Sequence, residues 1–232
     1  ADEEFGNQYS RGFARDDDGN VLIDAAGLPI VTPGKTVKVA NYNPDWLAGI
    51  SNTFKYKDFS LRALLDIRQG GEVAVFTEAI LAGNGLLDYT AQGRDGSLVF
   101  GENIFAGETA VLADSEGNPT GTPNNIAVGA EELWNRLGGR NTPIGEAFVR
   151  SASNIRLREL ALGYTLPQGV TSRLPFRSAS VSIVGRNLFF LRNETEYFDP
   201  EAVQSVSNNA EGLNSFAPPT TRSFGVSLNF GF

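Results

Sequence analysis

The chain of 232 residues carries 19 Lys and Arg against 27 Asp and Glu, a formal net charge of −8, and so has no basic stripe with which to displace the counterions of a nucleic acid. Cys, His and Met are all absent, which removes thiol nucleophiles, disulfides, zinc centres of Cys/His type and every His-based triad. No stretch approaches the roughly 18 consecutive apolar residues of a transmembrane helix, and the acidic start Ala1-Asp2-Glu3-Glu4 is not a leader, so the beginning of an exported protein is expected elsewhere.

Residues 1–45 are turn-rich. Asp16-Asp17-Asp18-Gly19-Asn20 followed by Val21-Leu22-Ile23-Asp24, and then Gly27-Leu28-Pro29, reads as a tight turn with a short hairpin around it. Asp16, Asp18, Asn20 and Asp24 imitate part of a calcium loop. The twelfth position, which should supply a bidentate Glu, is Gly27, and a solvated turn is the simpler reading.

The first strand expected is 46–57. Trp46, Ala48, Ile50, Phe54 and Tyr56 share one parity, and Gly49, Ser51, Thr53 and Lys55 the other. After Lys57-Asp58 a second strand, 58–69, sets Phe59, Leu61, Ala63, Leu65 and Ile67 against Ser60, Arg62, Asp66 and Arg68, with Leu64 the exception. Those charges must face water or each other, since a charge at a bilayer midplane costs roughly 2–4 kcal/mol. Residues 70–149 lose the period and read as a long loop. Short helices are expected at 75–82 and at 130–137, where Glu131 and Glu132 open the second and Gly138-Gly139 stop it.

Strand character returns at 150–166, where the parity changes. Ile155 and Leu157 share one face and Leu160, Leu162, Tyr164 and Leu166 the other, so either a bulge lies near Arg158-Glu159 or the first two residues pack above a membrane. Pro167 ends that strand, residues 168–176 make a compact turn, and 178–190 alternates again. A loop at 191–219 leads to 220–232, where Phe224, Val226, Leu228, Phe230 and Phe232 alternate with Ser223, Gly225, Ser227, Asn229 and Gly231.

Two architectures can take up such apolar faces, the interior of a soluble sandwich or the lipid around a membrane barrel. Short and long connections alternate along the chain, as the turns and loops of an outer-membrane barrel do, and loops as long as 70–149 are unusual in a compact soluble domain. The fold class expected is all-β, an antiparallel transmembrane β-barrel fragment of about five C-terminal strands with long extracellular loops. Because about eight strands are the minimum for closure, such a fragment belongs to something larger.

Several motifs, in order, carry a resemblance: Asn43-Pro44-Asp45-Trp46, the run Phe54-Lys55-Tyr56-Lys57-Asp58-Phe59-Ser60-Leu61, Gly70-Gly71-Glu72, Ile155-Arg156-Leu157-Arg158-Glu159-Leu160 with Leu162-Gly163-Tyr164-Thr165-Leu166-Pro167, Gly185-Arg186-Asn187-Leu188-Phe189, Phe198-Asp199-Pro200-Glu201, and Pro219-Thr220-Thr221-Arg222-Ser223-Phe224. In order and spacing the chain resembles the C-terminal end of SusC/RagA-type TonB-dependent outer-membrane transporters. The resemblance implies a plugged barrel of roughly 22 strands in the outer membrane of a Gram-negative cell. It implies import of a bulky glycan or peptide with a SusD-like lipoprotein lid, energy delivered by TonB through N-terminal parts not in this sequence, and a final strand at Phe224, Val226, Leu228, Phe230 and Phe232 read by the barrel-assembly machinery. It implies no cofactor.

The carboxylates at Asp16 to Asp18 and at Glu131-Glu132 are not fixed in the spaced pair that glycoside hydrolysis requires, so no catalytic residue is assigned. Tyr89, Phe105, Trp134, Tyr197 and Phe198 could stack on a substrate, meet a lid or fill small loop cores. Arg62, Asp66 and Arg68, with Arg156 and Arg158, could line a lumen or pair between strands. A secreted, soluble β-sandwich that binds carbohydrate is the rival, and it differs in one respect: it would bury Phe224, Val226, Leu228 and Phe230 against a second sheet.

Overall fold

The structure, a computed structural model, describes residues 4–173, 175–203 and 211–232. It divides into two compact units. One, here the strand unit, is made of Asn43–Gly71, Ser151–Ala202 and Pro218–Phe232; the other, the loop unit, is made of Ala1–Tyr42, Glu72–Arg150 and Val203–Ala217.

The strand unit is an antiparallel meander of β1 (Trp46–Tyr56), β2 (Phe59–Gln69), β3 (Asn154–Thr165), β4 (Ser178–Asn193) and β5 (Ser223–Gly231), each paired with the next in chain order. Lys57-Asp58 closes the first hairpin with Tyr56 opposite Phe59, and Lys57 takes a φ of 52° to make so short a turn. At residues 220–222 the chain is drawn out of the ladder, because the Thr220 amide and hydroxyl both donate to the Asp199 carboxylate. That is why β5 begins at Ser223 rather than at 220.

The change of parity at 150–166 is a bulge. Leu157 stands opposite Leu65 and Glu159 opposite Leu64, so Arg158 is an inserted residue in β3. Residues directly opposite in a ladder share a face. The insertion therefore brings Ile155 and Leu157 onto the same face as Leu160, Leu162 and Tyr164, all of them over the apolar row of β2.

The loop unit has its own core. Helix α1 (Phe76–Gly83) and helix α2 (Ala130–Leu137) meet in it, and α2 buries Ala130, Leu133, Trp134 and Leu137, the spacing of one helical face. Phe100, Phe148, Ile144, Val21 and Ile23 complete the interior. A small sheet sets Val21–Ile23 parallel to Ala110–Ala113, which pairs with Pro119–Pro123. The two helices approach through glycine: a Cβ on Gly138 would lie 2.5 Å from the Ala79 carbonyl oxygen and 2.8 Å from the Gly83 nitrogen.

Three turns of this unit repeat one device. Asp16, Asp24 and Asp114 each use Oδ1 to accept the backbone N–H two and four residues ahead, at Asp18 and Asn20, Ala26 and Leu28, and Glu116 and Asn118. The third residue on is Gly19, Gly27 or Gly117, each with φ between 80° and 86°. The acidic stretch that imitates a calcium loop is thus one of three Asx turns. Among the described residues no group of three or more acidic side chains gathers to hold a metal ion.

Gly138→Ala is expected to destabilise the loop unit by about 1–3 kcal/mol, because the clash is with backbone that cannot swing aside. Gly107→Ala, where an added Cβ meets nothing within 4 Å, serves as the neutral control. The readout is the rate of limited proteolysis between 76 and 148, with equal rates for the two variants refuting the packing argument. The second expectation concerns acid. Side-chain and backbone donors of Asn20, then those of Asp18 and Gly19, hold the Asp16 carboxyl below its ordinary value of 3.8. Its support to the turn is therefore complete above that value and lost as pH falls through the lowered one. A titration of the Asn20 side-chain amide by NMR should give a midpoint below 3.8; a midpoint at or above it would contradict the hydrogen-bond account.

Candidate functional site

The two faces of the strand unit differ in kind. One carries Trp46, Ala48, Ile50 and Phe54 from β1, Phe59, Leu61 and Leu65 from β2, Leu157, Leu160 and Leu162 from β3, Ile183 and Phe189 from β4, and Phe224, Val226, Leu228 and Phe230 from β5. These side chains are not covered: Phe224 is 75%, Val226 68% and Leu228 60% exposed. Aromatic rings sit at both ends of the face. Tyr56, Phe59, Tyr164 and Phe230 lie at one end, where the Phe59 and Tyr164 rings are 4.8 Å apart, and Trp46, Phe189 and Phe224 lie at the other. Mostly aliphatic side chains fill the band between, with Asn52 and Phe54 of β1 among them.

The opposite face holds small polar residues toward β5 and charges toward β3. Ser178, Ser180 and Ser182 stand opposite Gly231, Asn229 and Ser227. The bulge presents Arg158 beside Glu159 on this face, and two ion-pair groups form around it. Arg158 donates to Asp66 Oδ2 at 2.9 Å and grips Glu201 with both terminal nitrogens, at 2.5 Å to Oε1 and 3.0 Å to Oε2. Arg156 donates to the same Glu201 Oε2 at 2.7 Å, lies 3.7 Å from Asp199, and stacks over the Phe190 ring at 4.5 Å. The Arg156 side chain is only 3% exposed, so its charge is carried by these partners rather than by water. The second group is centred on Glu159, which accepts from Arg186 Nε at 3.0 Å and lies 3.8 Å from Arg62.

Glu201 belongs to Phe198-Asp199-Pro200-Glu201, a segment that is folded back onto the sheet. Asp199 Oδ1 accepts the Glu201 amide at 2.9 Å while Oδ2 accepts the Thr220 amide at 3.0 Å. Asn193, the last residue of β4, donates to the Phe198 carbonyl oxygen at 2.9 Å. Just past β4, Ser151 Oγ and Arg192 both donate to the Glu194 carboxylate, and the first of these chiefly holds its pKa below the usual range. Residues 193–202 are thereby pinned over the bulge. The expectations from sequence place Tyr197 and Phe198 of this segment at a substrate, a lid or a loop core, and give Asp199 and Glu201 no ion-pair role. The signal was the recurrence of paired acids, Asp199 and Glu201, at the same two-residue spacing as Arg156 and Arg158.

The residues singled out from sequence are distributed as follows. Arg62 and Asp66 are on the polar face in the ion-pair groups just described, and Arg68 stands there opposite Asn154. Tyr89, Phe105 and Trp134 come together in the loop unit. The Tyr89 and Trp134 rings are 5.0 Å apart, Phe105 stacks on Phe100 at 5.0 Å, and the Tyr89 hydroxyl donates to the buried Glu78 at 2.8 Å. Their rings fill core volume. Tyr197, 53% exposed, and Phe198 lie instead in the strand unit. Phe224, Val226, Leu228 and Phe230 line the apolar face, and Phe232 follows β5 with its ring 5.4 Å from that of Phe176.

No family model matches the chain. It is 25% identical over 224 residues to TonB-dependent receptor P3 of Formosa agariphila, covering 94% of this chain and 19% of that protein. To TonB-dependent receptor P26 of the same organism it is 27% identical over 216 residues, covering 90% and 19%. The chain thus spans about a fifth of the length of these curated relatives. In fold it is similar to the RagAB peptide importer in its open-open state, with a TM-score of 0.53 at 18% identity, covering 97% of this chain and 22% of that one; for the closed-closed state the TM-score is 0.52. In sequence the chain is similar to TonB-dependent receptors, and in fold to the RagAB importer. These likenesses support the resemblance to the SusC/RagA type read from the sequence.

Glu201→Gln removes the carboxylate shared by Arg156 and Arg158 and leaves Arg156 buried beside a neutral amide. The expected cost is on the order of 3 kcal/mol, concentrated in residues 193–202. Faster hydrogen exchange at the Thr220 amide, with β1 and β2 unchanged, is the outcome to look for; unchanged exchange at Thr220 would mean that the segment is held by other contacts.

Proposed function

We propose that β1 to β5 are part of the wall of an outer-membrane β-barrel, the C-terminal portion of a TonB-dependent importer of a bulky nutrient, oligosaccharide or peptide, that works with a SusD-like lipoprotein lid. The observation that carries this reading is the exposed apolar face. Trp46 and Tyr56 bound roughly 33 Å of strand at about 3.3 Å per residue, and with the usual barrel tilt this approaches an apolar band about 25 Å tall flanked by aromatic girdles. A soluble sandwich would need Phe224, Val226 and Leu228 covered by a second sheet, and they are open. The charged face then looks into the lumen, with Arg62, Asp66 and Arg68 on it. Residues 1–45, 70–149 and 191–219 are the extracellular loops.

Supporting the import reading are the likeness in sequence to two TonB-dependent receptors and the likeness in fold to a peptide importer. β1 and β5 each pair on one side only within this sheet. In lipid their open edges demand neighbouring strands, which a longer chain would supply, together with the plug and the segment that contacts TonB. The alternating face of β5 with Phe232 behind it is the segment we assign to the barrel-assembly machinery.

The test uses the full-length receptor in its outer membrane. Val226→Arg sets a charge in the lipid-facing band and is expected to cost about 2–4 kcal/mol, seen as loss of the heat-modifiable folded species on electrophoresis. Ser227→Arg, one residue on and facing the lumen, should leave that species intact. Equal tolerance of both substitutions, or a receptor that stays soluble and folded without detergent, would sink the barrel reading.

A further inference from the structure

The loop unit contains a cleft of about 630 Å³ whose wall differs in charge from the rest of the chain. Arg11, Lys35 and Arg140 line it, and no Asp or Glu does so among the described residues, although acids outnumber bases in the sequence by 27 to 19. None of the three cations forms an ion pair among the described residues. The two acids next to the wall in sequence are already committed: Glu146 has one oxygen on Arg15 at 2.6 Å and the other accepting the Phe13 amide at 2.7 Å, and Glu78 accepts from Arg150 and from the Tyr89 hydroxyl. The remaining lining is amide, hydroxyl and ring: Gln8, Asn141 and Thr142 offer donors and acceptors, and Tyr9 presents a partly exposed face.

We propose that this cleft binds an acidic oligosaccharide, one that bears carboxylate or sulfate groups on its sugar rings. Cations clustered on one wall without ion-pair partners make a field that an anion completes, and guanidinium groups match carboxylate and sulfate oxygens with paired donors. Side-chain amides and a hydroxyl suit the ring hydroxyls that lie between the charges, while Tyr9 gives a flat surface for a sugar face. The proposal rests on the importer reading for its purpose, in that it names the substrate class, but the binding itself is a property of the loop unit.

The experiment uses the full-length receptor purified in detergent, with calorimetry against a short oligogalacturonate, a sulfated galactan oligosaccharide, an uncharged galacto-oligosaccharide and an oligoglutamate. Binding of at least one acidic saccharide in preference to the neutral one is expected, weakening as salt is raised. The combined variant Arg11→Gln, Lys35→Gln, Arg140→Gln should bind it about tenfold more weakly, the sum expected of three exposed charge contacts. Arg140→Lys, which keeps the charge, should retain binding. The carboxylate and sulfate arms tell which anion is preferred. Equal binding of the neutral saccharide, no binding of either acidic one, tighter binding of oligoglutamate, or an unaffected triple variant would each overturn the proposal. Heat-modifiability of the same preparations is read separately, so failure of the barrel reading is distinguished from failure of this one.

Discussion

One inserted residue keeps the strand unit two-faced. Without a bulge at Arg158, β3 could not hold Ile155 and Leu157 in phase with Leu160 and Leu162, since a shift of one residue sends every side chain to the other face. Either end of the strand would then push leucines among the arginines. The insertion solves a second problem at the same place. By presenting Arg158 and Glu159 on one side it puts a cation and an anion next to each other, and they recruit Asp66 and Glu201 on one hand and Arg186 and Arg62 on the other. Apolar continuity on one face and charge pairing on the other therefore share a single cause.

The charged face is organised so that its burial is tolerable. Arg156 has almost no contact with solvent, and such a group survives only where carboxylates and a ring take the place of water. The carboxylates come from the segment after β4, and that segment is itself held by Asp199 at the approach to β5. Strands β3, β4 and β5 are thus tied through their polar side as well as by their ladders. On the barrel reading proposed above, a face in hydrocarbon would gain little from packing beyond what lipid supplies, so the polar side is where side-chain interactions specify the arrangement.

Much of the strand unit was legible because a period of two needs no tertiary information. Phe224 to Phe230 alternate in sequence and lie on one face in space, and the parity break at Arg158-Glu159 left a bulge or packing above a membrane, between which the pairing decides for the bulge. The loop unit was much less legible. Its strands are only two to five residues long, too short to show a period, and one of its pairings, Val21–Ile23 with Ala110–Ala113, joins segments far apart in the chain. The aromatic residues there could be ligand contacts or loop-core packing, because sequence gives no measure of burial; Trp134 lies on the packed side of α2. The turn at Asp16 to Gly19 was legible from its glycine and its run of short polar residues, and the same Asp-x-x-Gly spacing recurs at 24 and 114, each with a left-handed glycine three residues on.

That the loops fold on a core of their own bears on how they could act. A loop of eighty residues without internal packing would have to be ordered by whatever it binds, at a cost of roughly 1–2 kcal/mol for each residue fixed. Here Leu133, Leu137, Ile144, Phe100 and Phe148 are buried already, the helices lock through Gly83 and Gly138, and the Asx turns fix the tips. Polar side chains on such a frame meet a ligand with most of that ordering done, which leaves their hydrogen bonds and charges available to discriminate among ligands. Specificity can then change through a few exposed residues on a settled core, while β1 to β5 keep the alternation that their surroundings impose.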